Sequence, residues 1–177
     1  VLASSLRRSI TLDEQWLIGG CAKLPRGKTY WMVATSPENF RITREMGFTM
    51  QGLKSRQRRK AQRMEPGDRI LYYLTTIQRF GATCTVTSKC FEDHSEVWKS
   101  EGKHDDFPWR VNTELTAVLD EEKFLDAREI GPRLEYVKRW PPERWNLAFQ
   151  GNLHILPKND FEFLEGEIRK AGSERSN

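Results

Sequence analysis

Cysteine is scarce and unpatterned in this chain. Cys21, Cys84 and Cys90 make an odd set without a C-x-x-C pair, which excludes a disulfide framework and a cysteine-built structural zinc site. A reducing, cytoplasmic setting is the expectation. No apolar run approaches the ~18 residues of a membrane span. Arg7-Arg8 is not followed by the long apolar stretch of a secretion signal, so no membrane partner is expected. Catalytic signatures are missing too: there is no G-x-S-x-G, P-loop, G-x-G-x-x-G or H-E-x-x-H. There is no internal repeat, and histidine occurs three times.

What is present is core material and one dense patch of positive charge. With 177 residues, 37% of them hydrophobic and six of them Trp, the chain can bury one proper core. Residues 1–28 read as an N-terminal extension of unassigned role, in which Thr11 caps a short helix over Leu12 to Ile18. Residues 29–170 form the domain and residues 171–177 a polar tail. The net charge is +4, yet Lys54, Arg56, Arg58, Arg59, Lys60 and Arg63 place six cations in ten residues with no acid among them. The positive field is therefore local, and like charges at helical spacing oppose the helix expected over Lys54 to Met64 unless an anion meets them. Glu65-Pro66-Gly67-Asp68 stops that helix.

Around this stretch the chain alternates strands with short helices. Thr29 to Thr35 reads as an interior strand, and Ser36-Pro37-Glu38 then supplies an N-cap, a first-turn proline and an early acid for a helix to about Met46 anchored by Phe40. Arg69 to Thr75 and Ala82 to Thr87 pair as antiparallel strands. Residues 89–106 form a polar excursion over a pocket. Phe107 to Leu119 returns as a strand with Trp109, Val111, Thr113, Leu115 and Ala117 on one face and Arg110, Asn112, Glu114 and Thr116 on the other. Helical segments are expected around Glu121 to Ala127 and Pro132 to Lys138. A last strand, Leu153 to Leu156, precedes a helix with Phe161, Leu164 and Ile168 inward. Five or six strands with inserted helices indicate an α+β fold, a small, partly open β-barrel.

Candidate chemistry is sparse. His94 and His104 lie near Asp93, Asp105 and Asp106, but metal-ligand spacing is lacking. His154 reads as a satisfied core histidine, and Cys84 as core rather than nucleophile. In the basic helix, Leu53, Gln57, Ala61 and Met64 make an inner stripe that leaves the cations outward, toward a phosphate backbone.

In order and spacing, six features together resemble the EVE domain, a PUA-like family related to YTH domains. They are Trp31 followed by Pro37, Glu38 and Phe40, Gly52 to Met64 running into Pro66-Gly67-Asp68, Tyr72-Tyr73, Arg79-Phe80-Gly81 with Val86-Thr87-Ser88, Phe91 to Trp98, and Phe107-Pro108-Trp109-Arg110-Val111. The resemblance covers about residues 29–170. It implies a PUA-like barrel that binds, without catalysis or cofactor, DNA or RNA carrying a modified base, in a pocket beside a basic surface. The pocket positions it implies are Ser36, Phe48, Met50, Lys54, Ser55, Tyr73, Pro108 and Trp109. YTH relatives carry a cage Trp, and many EVE proteins an Asn-Tyr pair, in the stretch that here holds Phe48, Met50, Lys54 and Ser55, so the expected slot is a loose one walled by Trp109 and Met50. Lys54, Arg56, Arg58, Arg59, Lys60 and Arg63 are the expected phosphate contacts. The alternative is a metal-dependent hydrolase of nucleic acid using His94, Asp105 and Asp106. An adaptor with an idle basic face ranks third, because it leaves the charge density unexplained.

Overall fold

A computed structural model describes residues 27–100, 102 and 106–173; the expected helix over Leu12 to Ile18, Cys21, His104 and Asp105 lie outside them. Strand β1 (Tyr30–Thr35) is buried along most of its length. Ser36 caps α1 (Pro37–Glu45), its Oγ accepting from the Asn39 N–H at 3.2 Å. The chain turns through Gly47 and Phe48, both at positive φ, into β2 (Met50–Leu53). β3 (Arg69–Leu74) and β4 (Arg79–Val86) form the expected antiparallel pair, with a bulge at Tyr72/Tyr73. β5 (Phe91–Glu92) and β7 (Leu125–Asp126) are minor additions, to β6 (Trp109–Val118) and to β4. α3 (Ala127–Ile130) leads into a series of 3-10 turns, which end before β8 (Leu153–Leu156) and α4 (Lys158–Ser173).

The main sheet runs β2-β6-β4-β3-β1-β8, six strands in which β1 and β3 are parallel and the other neighbours antiparallel. This is the α+β, partly open barrel expected. Its core is aromatic: the Phe40 ring meets Phe48, Tyr72 and Phe124 edge-on at 5.6–5.7 Å, the orientation favoured by ring quadrupoles. Phe161, Leu164 and Ile168 are buried from α4 as the spacing predicts. Asp68, 2% exposed, ties the turn after the basic segment to β1 by accepting from the Trp31 indole and the Thr29 N–H, each at 2.9 Å.

Four expectations are corrected. The basic helix is reduced to a 3-10 turn (Ser55–Gln57) and one α turn, α2 (Arg58–Ala61). Leu53 belongs to β2 and only Ala61 and Met64 are buried from the supposed stripe, too little apolar contact to hold a long run of like charges in a helix. A register shift at Thr83/Cys84 turns Leu115 outward, 40% exposed, so the β6 face is not continuous. Arg110, expected to point away, is 1% exposed beneath the excursion. Pro132 to Lys138 is a pair of 3-10 turns rather than a helix.

Candidate nucleic-acid interface

β8 pairs with β1 only as far as Val33, and beyond it the Ala34 N–H donates to the Asn152 carbonyl at 3.0 Å. The end of β1 therefore lies open on one side, and the curl of the sheet brings β2 up to it. Between them is a slot lined by Val33, Ala34 and Thr35 of β1, Gln51 to Lys54, Gln57, Asn152, and two rings from the excursion, Trp98 and Phe107. The free space is about 20 Å³, room for one water molecule. Trp98 and Phe107 also border a wide hollow of about 1050 Å³ lined by the excursion together with Ser55 and Arg110. The two rings, with centroids 5.9 Å apart, are the wall shared by slot and hollow.

Trp98 is fixed from three sides. Its indole N–H donates to Thr43 Oγ1 at 2.9 Å, and next to it the Lys99 backbone exchanges two hydrogen bonds with the Asn39 carboxamide. The Arg110 guanidinium lies 5.4 Å from the indole ring, donates to Asp93 Oδ2 at 2.7 Å and Ser95 Oγ at 2.8 Å, and reaches the Ser95 and Phe107 carbonyls. Hydrogen bonds from Ser95 hold the Asp93 carboxyl below its ordinary range. The ring covers Gly52 so closely that a Cβ there would come within 2.3 Å of it, which makes glycine obligatory in the middle of β2. The Phe107 side chain has no polar group to anchor it, and Lys54 Nζ lies 5.9 Å from its centroid.

The expected pocket residues divide. Lys54, 6% exposed, lines the slot; Ser55, bonded to Asp106, and Pro108 line the hollow. Ser36 caps α1 one residue beyond the slot. Met50, half-buried, does not line it. Phe48 is in the aromatic core, and Tyr73 is buried against Phe149, its hydroxyl pushed up to about 12 by burial. Trp109 is half-buried under Arg58, whose guanidinium is 5.0 Å from its ring, and borders neither space. Gln51 was not picked out by sequence reasoning, whereas Gly52, Trp98 and Phe107 lie in the stretches that carry the family resemblance but were not named as pocket positions. The available signals were Trp98 as a lone ring in a polar stretch and Gly52 within a strand.

Of the six expected phosphate contacts, Arg56 bonds Asn152 and Lys60 donates to the Leu153 carbonyl at 2.8 Å, so the segment is tied to the start of β8 and the residue before it. Arg59 and Arg63 are exposed, and neither pairs with an acid among the described residues. The other candidates are less reactive. His94 is 2.9 Å from Glu92 and 3.8 Å from Asp106, and among the described residues no three of His, Cys, Asp and Glu group as metal ligands. Burial pushes the Cys84 thiol up to about 12, unsuited to a nucleophile. His154 meets the Tyr136 hydroxyl through Nδ1 at 2.9 Å, while its buried Nε2 has no partner. No helix among the described residues is long and apolar enough to cross a membrane.

Comparison with known proteins adds to this geometry. A model of the EVE domain matches residues 29–162. A UPF0310 protein of Pyrococcus abyssi is 23% identical over 146 residues, covering 77% of this chain and 97% of that protein. Among solved structures, human THYN1 in complex with DNA containing 5-methylcytosine superposes with a TM-score of 0.54 at 13% identity, over 85% of this chain and all of that one. The YTH domain-containing protein mmi1 in complex with RNA gives 0.60 at 9% identity, over 81% and 83%.

Proposed function

The chain belongs to the EVE domain family, and from that premise we propose that it is a non-catalytic module that captures a modified base of DNA or RNA in the slot between β1 and β2. The observation that carries this reading is the arrangement at one sheet opening. A fixed, flat indole lies over Gly52, Lys54 is buried beside it, and Arg59 and Arg63, which pair with no acid among the described residues, follow along the chain. The THYN1 and mmi1 complexes, which share the fold, support the same ligand class.

In this reading Arg59 and Arg63 hold phosphates, which sets position but not sequence, and the slot reads the base. A space of about 20 Å³ is far below a ligand pocket of roughly 300 Å³ or more. The base therefore enters from the hollow by displacing the Phe107 ring, and stacks on Trp98, which the Thr43 and Arg110 contacts keep in place. Stacking on an aromatic ring contributes about 1–3 kcal/mol per base.

The test is a titration against matched oligonucleotides, unmodified, 5-methylated at cytosine or N6-methylated at adenine, at two salt concentrations. Wild type should prefer one modified strand, and Trp98→Ala should lose that preference while keeping salt-dependent binding. Equal loss by Trp98→Ala for modified and plain strands would defeat the slot reading.

A further inference from the structure

Gln51 brings an unfinished hydrogen bond to the slot. Its side chain is 4% exposed and, by strand alternation, lies on the face of β2 opposite to the one Trp98 covers at Gly52. Nε2 donates to the Gly52 carbonyl at 2.6 Å, which fixes the amide's orientation, since the reversed carboxamide would set two oxygens against each other. Oε1 is then left buried with no partner. A buried carbonyl oxygen without a donor is costly, and native structures rarely keep one without a water or a ligand to satisfy it. The slot Gln51 borders has room for one water.

Resting on the reading that the slot takes a flat base, we infer that Gln51 Oε1 accepts a hydrogen bond from an amino group on that base. The site then selects amino-bearing heterocycles, of the cytosine or adenine type, over the same rings without the amine. A base that brings an N–H to Oε1 satisfies it. A base that brings only C–H there leaves Oε1 unpaired. Lys54, on the same strand-to-turn segment, also lines the slot. An amino-base edge suits such a lining, because it sets a donor beside an acceptor ring nitrogen. The discrimination resides in a polar group that the wrong ligand orphans, the arrangement that rejects analogues most strongly.

The experiment deletes the amine without adding bulk. Single-stranded oligonucleotides carrying one 5-methylcytosine or one adenine are compared with strands carrying 5-methyl-2-pyrimidinone or purine at the same position, by fluorescence anisotropy. The wild-type protein should lose between about five- and hundredfold in affinity for the better-bound pair when the amine is removed. In Gln51→Met, a volume-conserving change at a buried position, the same deletion should cost less than about twofold. No loss in the wild type, or an equal loss in wild type and Gln51→Met, overturns the inference. Trp98→Ala separates this failure from failure of the slot itself. If Trp98→Ala weakens the amine-bearing strands while Gln51→Met leaves amine dependence intact, the slot stands and Gln51 is not its reader. If Trp98→Ala changes nothing, the slot reading falls first.

Discussion

Trp98 and Trp109 each lie near an arginine, with the Arg110 guanidinium 5.4 Å from one ring and Arg58 5.0 Å from the other, but the two neighbourhoods differ in what else is attached. Around Trp98 every polar atom is committed: the indole to Thr43, the guanidinium to Asp93, Ser95 and the Phe107 carbonyl. Around Trp109 the cation has only the ring among the described residues, and Arg59 and Arg63 beyond it face solvent. A ring meant to select among ligands must be held still, whereas a cation meant to follow a phosphate chain must be able to move. In the proposed function, the same pair of side-chain types thus serves specificity at one site and attraction at the other.

The comparison breaks most severely at Arg110. Arg110→Met removes the guanidinium that fastens the excursion, and charged hydrogen bonds of this kind contribute about 1.5–3 kcal/mol each way of counting. A fall in urea-denaturation stability of that order is expected, with faster amide exchange over Asp93 to Trp98. Arg58→Met should change stability by no more than about 0.5–1 kcal/mol, the worth of an exposed cation–π contact. Equal losses from the two variants would erase the distinction between the neighbourhoods.

Binding sharpens it from the other side. Arg59→Ala and Arg63→Ala should weaken modified and plain strands alike, and each should lower the log-log salt slope by about 0.9 on duplex DNA or about 0.7 on a single strand. Trp109→Ala should leave the preference for the modified strand intact, because this ring borders neither the slot nor the hollow. Oligonucleotide titrations at several salt concentrations check both, and a loss of base preference in Trp109→Ala would move the reading ring from the excursion to β6.

Which of the two tryptophans borders the slot was the part of the geometry hardest to read from sequence. Trp109 lies in an alternating strand beside Pro108, where strand rules apply. Trp98 reaches the slot only because Arg110, Asn39 and Thr43 hold it, and those contacts join residues far apart in the chain. Local patterns were good guides where local physics decides: Ser36-Pro37 starts α1, β8 spans Leu153–Leu156, and Phe161, Leu164 and Ile168 face inward. They were poorer where tertiary contacts decide. The basic segment shortened for want of an apolar face, and the β6 bulge reversed Leu115. Lys54 was singled out for its charge, but its burial against Phe107 depends on the returning excursion.

The smallest expected effect is acidic. Asp93 is the titrating member of the Trp98 neighbourhood, and hydrogen bonds from Ser95 lower its carboxyl in the folded chain, with the Arg110 charge adding to them. A carboxyl lowered on folding stabilises the fold fully above its unfolded pKa of about 3.9, and this contribution disappears as pH falls through the lower folded value. The Arg58–Trp109 pair contains no group that titrates there, so acid loosens one neighbourhood and spares the other. Other carboxylates also respond to acid, Asp126 with a folded value of about 2 among them, so the useful quantity is a difference. The gap in urea midpoint between wild type and Asp93→Asn should be constant above about pH 5 and close as pH drops below about 3.9. A gap that persists at the acid end would mean that the carboxylate's charge plays no part in holding Arg110 over Trp98.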